Sequence, residues 1–244
     1  MRAVIAIALV ATMGGTEIER AQQVARSREG EREQFHRRYV FDLKGDTVTQ
    51  IEVITEFRRL VLTTEEHLRL GDQMFSRGVR EAEAAMAPTR GLVTFKSKLR
   101  FHPLNTYADV PPFKIALGPA ASTLASVASS PLTPIDTRAT SEASQPFKDG
   151  AGKRVVALLG ATLLADVPAA RIGPASRSLG VVLEGRELAR VPVDFGHLDV
   201  QVTVEDPGVF AKPWHMNMNW DLAPQEELIE YVCENNRAEN MVGK

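Results

Sequence analysis

The segment from Trp214 to Trp220 holds the residues best suited to chemistry. It places one imidazole, His215, and two thioethers, Met216 and Met218, within four residues. Imidazole and thioether ligands together select soft Cu(I), and a tryptophan face can lie against a cation. These three residues are the candidate metal ligands, and copper is the metal they suit. The alternative is an extended core segment, in which both methionines fall on one face and His215 on the other.

His102, which precedes Pro103, is a candidate catalytic base. The sequence ties no serine or cysteine nucleophile to it, and there is no Gly-x-Ser-x-Gly elbow. The surroundings of His67 do not form a His-Glu-x-x-His zinc pattern, and no pair of carboxylates is marked as a glycosidase site. The alternative is a structural hydrogen-bonding role in a loop. A cleft position beside a nucleophile would favour a hydrolase.

Cys233 is the one cysteine of the chain. It lies in a predicted amphipathic helix, residues 226–235, where a buried small hydrophobe is its expected role. A single cysteine predicts no internal disulfide. Phosphate-loop and dinucleotide fingerprints do not occur. The leading prediction therefore includes no catalytic residue, no cofactor-binding residue and no cofactor. Copper is the cofactor of the alternative prediction.

The composition is that of an ordinary soluble globular protein. The 244 residues are 44% hydrophobic and 25% charged. With 29 basic and 31 acidic residues the net charge is −2, so no overall field favours nucleic acid or anionic lipid. The expected partner is a protein or a small-molecule ligand.

The N-terminus has the residue order of a secretory signal peptide. Met1-Arg2 precedes the apolar run 3–11, and the small-residue stretch 12–16 follows. We expect a signal peptide over residues 1–15 and an exported protein, periplasmic or extracellular. A buried first strand or a short uncleaved anchor is the alternative. No other run reaches the ~18–20 residues that a membrane helix needs, so no span is expected after signal removal.

Residues 16–88 are predicted to be a helical region. A charged helix covers 16–38, and a short strand is expected at 39–43. Apolar residues recur every three to four positions from Val48 to Leu68, after a capping box at Thr47, which predicts one long helix. A further helix is expected over 79–86, before Pro88.

Residues 89–205 are predicted to be a β-sandwich region, because apolar and polar residues alternate from Val93 to Phe101 and from Val200 to Val204. The best hairpin joins 179–183 to 188–195. Residues 118–153, rich in Ala, Ser, Thr and Pro, are expected to be a linker. The C-terminal tail, 206–244, carries the short helix.

These patterns together predict the fold class α+β. N-terminal helices would pack on an antiparallel β-sandwich, with a mobile Ala/Ser/Pro-rich excursion between its two groups of strands.

Four segments resemble a family of uncharacterised exported bacterial proteins. They are residues 35–39, 50–59, 100–107 and 185–195, and the resemblance covers residues 1–198. It implies a signal peptide and a mature region that is helical first and β-rich afterwards. It implies no established activity.

The tail resembles the C-terminus of other uncharacterised secreted bacterial proteins, through residues 204–214 and 227–236. This second resemblance brings no catalytic residues. A fused reading frame, with its seam near Leu198-Asp199, is an open alternative.

The leading prediction is an exported, non-enzymatic binding or structural protein. The first alternative is a periplasmic copper-binding protein that uses His215, Met216 and Met218. The second is a hydrolase of unrecognised type that uses His102.

Overall fold

The structure, a computed structural model, describes a defined part of the chain: residues 15–72, 75, 78–105, 107, 109–120, 129–148, 150–152, 154–173, 175–195, 197–204 and 214–221, the last two ranges by backbone alone. Apart from Gly15, the predicted signal peptide lies outside the described residues. So do the predicted C-terminal helix and Cys233.

Four of the five described α-helices precede the main strands. The helices are α1 (Gly15–Arg26), α2 (Glu29–Arg37), α3 (Glu56–Arg69), α4 (Val79–Met86) and α5 (Ala169–Ile172), with a 3-10 turn at Ala87–Thr89. A small apolar core joins α1, α3 and α4, and its buried residues include Ala21, Ala25, Leu60 and Val61. The side-chain amide of Gln22 donates to the carbonyl oxygens of Phe75 and Gly78, at 3.1 Å each.

Eleven described strands form two sheets and a separate pair. Their bounds are β1 (Val40–Asp42), β2 (Val48–Ile54), β3 (Leu92–Arg100), β4 (Phe113–Leu117), β5 (Thr133–Pro134), β6 (Arg138–Lys148), β7 (Arg154–Pro168), β8 (Ser176–Leu183), β9 (Arg186–Asp194), β10 (His197–Val204) and β11 (Trp214–Asp221). The first sheet has the order β1-β2-β3-β7-β6 and the second the order β5-β4-β8-β9, while β10 pairs with β11. Every pairing is antiparallel.

The main core lies between the two sheets. Val53, Phe95 and Leu163 of the first sheet share one buried cluster with Ile115 and Leu179 of the second. Phe95 also meets Phe195, just after β9, edge to face with ring centroids 6.4 Å apart. Full burial of such side chains stabilises the fold by about 1.5–3 kcal/mol each. The predicted α+β class, with N-terminal helices and sandwich-like sheets, is confirmed.

The helical layer meets the outer face of the first sheet through buried polar contacts. Arg58 of α3, 2% exposed, pairs with Glu52 of β2 at 2.5 Å and donates to the carbonyl of Val53 at 2.6 Å. Desolvation by burial lowers the pKa of Arg58, and the nearby Glu52 carboxylate opposes that shift. Lys96 of β3 lies 3.5 Å from the same carboxylate.

A second arginine makes the neighbouring contact. Arg59 donates to the hydroxyl of Thr94 on β3, which donates to Asp166 of β7 at 2.5 Å. Asp166 also pairs with Arg138 of β6 at 2.5 Å. This chain of contacts ties α3 to three strands of the first sheet.

The prediction of one helix from Val48 is wrong for its first part, because residues 48–54 form β2. The pairing of β2 with β3 shifts register between Val48 and Gln50. A bulge of this kind changes the alternation along a strand, so Val48 and Ile51 are both buried and three residues apart. This spacing imitates a helix. The helix begins after Thr55, whose hydroxyl accepts the Arg58 N–H at 3.2 Å.

The expected linker, 118–153, also needs correction, because it contains β5 and β6. The eleven residues of β6 pair with β7, and β5 pairs with the end of β4. The described side chains of β6 are exposed, so no apolar alternation marks it as a strand. Edge strands tolerate this composition, including Pro146. The mobility of the segment remains a prediction.

Other predicted elements agree with the structure. The alternating segment from Val93 is β3, and the predicted hairpin is β8 and β9. Its turn has positive φ at Glu184 and Gly185, 51° and 80°, as a two-residue hairpin turn requires. None of the described helices combines the length and apolar character that crossing a bilayer requires.

Candidate ligand-binding cleft

A cleft of about 790 Å³ opens at one end of the sandwich, between the two sheets. We call it the end cleft. The residues that line it are Asp46, Thr47, Arg100, Phe101, His102, Pro103, Asn105, Tyr107, Phe113, Leu159, Leu183, Arg186 and Leu188. In the first sheet they come from the two residues before β2, from the end of β3 with the loop that follows it, and from β7. In the second sheet they come from β4, β8 and β9.

The first sheet fixes one wall through backbone hydrogen bonds. The Arg100 N–H donates to the Thr47 carbonyl at 2.8 Å, and the Phe101 N–H donates to the Leu159 carbonyl at 2.9 Å. Phe101 makes the last of these hydrogen bonds, and Pro103, which has no N–H, cannot continue the ladder. The sheet framework therefore fixes the wall as far as Phe101.

The loop after β3 is held by its own side chains. Asn105 Nδ2 donates to the carbonyls of His102 and Leu158, at 2.6 Å each, and Asn105 Oδ1 accepts the Tyr107 N–H at 3.0 Å. His102 Nδ1 accepts the Leu104 N–H at 3.1 Å. With Nδ1 accepting, the neutral ring carries its proton on Nε2.

The second sheet supplies the opposite wall. Leu183 of β8 pairs with Arg186 of β9 next to the hairpin turn, and it also pairs with Phe113 of β4. The turn therefore sets where β9 begins and where Arg186 lies. Leu188 lies where the pairing of β8 with β9 shifts register, and it also lines the cleft.

Two stacked phenylalanines form the floor. Phe101 and Phe113 are 5% and 4% exposed, with ring centroids 5.8 Å apart and planes inclined by 24°. Tyr107 meets Phe101 edge to face at 5.4 Å and is itself 40% exposed. An apolar floor with one amphipathic aromatic side chain at its edge can shelter the body of an organic ligand.

The charged groups of the cleft are two guanidiniums and one carboxylate. Arg100, Arg186 and Asp46 are all exposed. Within the described part of the chain, neither guanidinium makes a hydrogen bond or an ion pair. The net charge of the described lining is +1 while His102 is neutral. Since a guanidinium presents a planar fork of N–H donors, the cleft can bind a carboxylate or a similar anion.

The structure tests the predicted hydrolase geometry at His102. The residue does lie in a cleft, as that hypothesis required. No serine or cysteine is present among the described residues of the lining, where the hydroxyl groups are those of Thr47 and Tyr107. Asp46 is the single carboxylate there. The described lining therefore contains groups that can bind an anion, but no serine or cysteine that His102 could activate as a nucleophile.

The predicted copper ligands lie on β11. The backbone of this strand pairs with β10, and the partner positions include Thr203 with His215 and Val202 with Met216. The side chains of His215, Met216 and Met218 lie outside the description, so copper binding stays a prediction. No group of three or more His, Cys, Asp or Glu side chains suited to a metal occurs among the described residues.

The two arginines of the cleft are not predicted from the sequence. Each occupies an exposed strand position that resembles any solvated charge. Arg100 belongs to the alternating pattern of β3, and Arg186 is the first residue of β9, directly after the hairpin turn. Only the packing of the two sheets brings them to one cleft, and no local spacing signals it.

Comparisons with protein-family models, curated proteins and solved structures give no match to this chain.

Proposed function

We propose that this protein is an exported, non-enzymatic binding protein that holds a small organic anion in the end cleft. The observation that carries the proposal is the pair of guanidiniums, Arg100 and Arg186, which line the cleft from different sheets without an ion-pair partner among the described residues.

The cleft has the size and chemistry of a ligand site. Its volume of about 790 Å³ lies within the roughly 300–1,000 Å³ of small-molecule pockets, which combine an apolar lining with a few polar groups. Here the polar groups are the two guanidiniums, and the apolar lining is the Phe101–Phe113 floor. A charge-assisted hydrogen bond contributes more than a neutral one, so two such cations favour an anion.

Export is the second part of the proposal. It rests on the order of residues 1–15, with a basic start, an apolar run and a small-residue exit. Intact-mass analysis of the protein recovered from the periplasm or medium of an expressing bacterium tests this part. Loss of about the first 15 residues supports a signal peptide, and recovery only as a full-length cytoplasmic chain contradicts it.

Thermal unfolding with a panel of small molecules tests the binding. A ligand that binds only the folded state raises the melting temperature as its concentration exceeds its Kd. The panel should contain carboxylates, phosphates, sugars and organic amines, each added to the wild type and to the double variant Arg100→Gln/Arg186→Gln.

The proposal predicts that at least one class of anion stabilises the wild type and not the double variant. Lys98→Gln is the matched control, because it removes an exposed cation from β3 outside the cleft lining. It should respond as the wild type does. Equal shifts for wild type and double variant, or no shift with any anion, would overturn the proposal.

A further inference from the structure

We infer that the ligand of the end cleft is an apolar monocarboxylic acid, a molecule with one carboxylate and a hydrocarbon or aromatic body. This inference rests on the proposed function and names its ligand class. Three features of the lining lead to it: its net charge, its apolar floor and the hydrogen bonds already made by its one side-chain amide.

The charge of the described lining matches one negative charge. Arg100 and Arg186 contribute two positive charges, and Asp46 removes one. A monoanion neutralises this set, whereas a dianion such as a dicarboxylate or a phosphate ester leaves an excess negative charge beside Asp46. Like charges repel, and because these side chains are exposed the repulsion is screened by salt, so the preference should be strongest at low ionic strength.

The floor of the cleft offers little to a second polar group. Phe101 and Phe113 are buried and stacked, and three leucines complete the apolar lining: Leu159, Leu183 and Leu188. Desolvating a polar group without a hydrogen bond costs free energy. The end of the ligand that lies on this floor is therefore apolar.

The amide in the lining is already engaged. Asn105 uses its Nδ2 group on the carbonyls of Leu158 and His102, and its Oδ1 accepts the Tyr107 N–H. Sugar recognition needs several side-chain donors and acceptors for the hydroxyl groups. Asn105 has no N–H left to donate to a sugar hydroxyl. The two guanidiniums are then the strongest donors of the lining, and they favour a carboxylate over a neutral polyol.

Isothermal titration calorimetry with chain-matched probes tests the inference. The probes are octanoate, with one carboxylate; suberate, with the same chain length and a second carboxylate; octylammonium, with the opposite charge; and inorganic phosphate. We expect octanoate to bind at least tenfold more tightly than suberate and phosphate, and octylammonium not to bind. The Lys98→Gln variant should keep this order.

The variant Asp46→Asn gives the second readout. It raises the net charge of the lining to +2 without removing either guanidinium, so the preference for octanoate over suberate should shrink. The opposite shift, or no change in the preference, would contradict the charge argument.

The outcomes separate this inference from the proposed function. Tighter binding of suberate or phosphate than of octanoate would overturn the monocarboxylate while leaving an anion site. Failure of octanoate to bind overturns the inference as well. The anion site itself fails only if the thermal panel gives no anion that depends on Arg100 and Arg186.

Discussion

Arg100 and Arg186 lie in different sheets, and the packing of those sheets places both side chains along one cleft. Phe101, next to Arg100, stacks on Phe113 of the second sheet. The residues that hold the two sheets together therefore adjoin those proposed to bind the ligand.

Glu52 forms a buried ion pair with Arg58. We therefore expect the substitution Glu52→Gln to lower the free energy of unfolding strongly. Arg58 would keep its charge while 2% exposed, and breaking a buried pair from one side costs about 3–5 kcal/mol. Lys96 lies 3.5 Å from Glu52 and would lose its partner too. Urea unfolding, followed by circular dichroism, measures the change in the free energy of unfolding.

The control for this prediction is Glu66→Gln. Glu66 pairs with Arg69 at 3.1 Å on an exposed helix face, where such pairs contribute about 1 kcal/mol or less. If both variants lose the same free energy of unfolding, the buried ion pair of Arg58 contributes no more to stability than the exposed pair does, which would contradict the prediction.

We expect the substitution Gly180→Ala in β8 to create a steric clash. A Cβ there would lie 2.5 Å from the Ala189 carbonyl oxygen and 2.6 Å from Leu132 Cδ1. The backbone oxygen belongs to the paired strand β9 and cannot move away easily. We expect Gly180→Ala to lower the free energy of unfolding by about 1–3 kcal/mol, as overpacking does.

Gly150→Ala is the matched control, since a Cβ at Gly150 meets nothing within 4 Å. Its free energy of unfolding should stay within about 0.5 kcal/mol of the wild type. If Gly180→Ala is equally well tolerated, the close approach of β8 and β9 at this point is incorrect.

The pair of Glu187 and Arg190 predicts a pH-dependent contribution to stability. Hydrogen bonds from Arg190, at 2.6 and 2.9 Å, lower the pKa of Glu187. A carboxylate with a lowered folded-state pKa stabilises the fold above its unfolded pKa, about 4.3. That contribution disappears as the pH falls through the lower folded-state value.

Glu187→Gln should therefore be less stable than the wild type at pH 6, and the difference should shrink toward pH 3. Because the pair is partly exposed, with side chains 41% and 19% accessible, the difference is expected to be about 1 kcal/mol or less. Chemical unfolding at the two pH values measures it. A difference that grows on acidification would contradict the assignment.

The sequence predicts those elements of the fold in which the pattern of apolar residues matches the burial of the side chains. β3 has one face in the core and one outside it, so its alternation is visible, and the Glu184-Gly185 turn marks the hairpin. Prediction fails at Val48–Ile54, because a bulge gives buried residues a helical spacing. It fails at Arg138–Lys148, because a strand with exposed side chains needs no apolar pattern.

The candidate site is predictable only in part, for a similar reason. His102 can be picked out from the sequence as a possible base, and the structure shows that its Nδ1 accepts a hydrogen bond from the Leu104 N–H of its own loop. Arg100 and Arg186 cannot be picked out in this way, because their meaning comes from sheet packing that no short segment encodes. The polar contacts of Arg58 and Arg59 under the helices are missed for the same reason.

The most direct test of the anion site observes the two guanidiniums themselves. In ¹⁵N-labelled protein, the Nε–H resonances of Arg100 and Arg186 can be assigned from the Arg100→Gln and Arg186→Gln variants. They can then be followed during titration with the carboxylate that gives the largest thermal shift. If both guanidiniums bind the ligand, both resonances move with the same Kd, which equals the calorimetric value. Movement of neither resonance, while the ligand still binds, would contradict the proposed anion site.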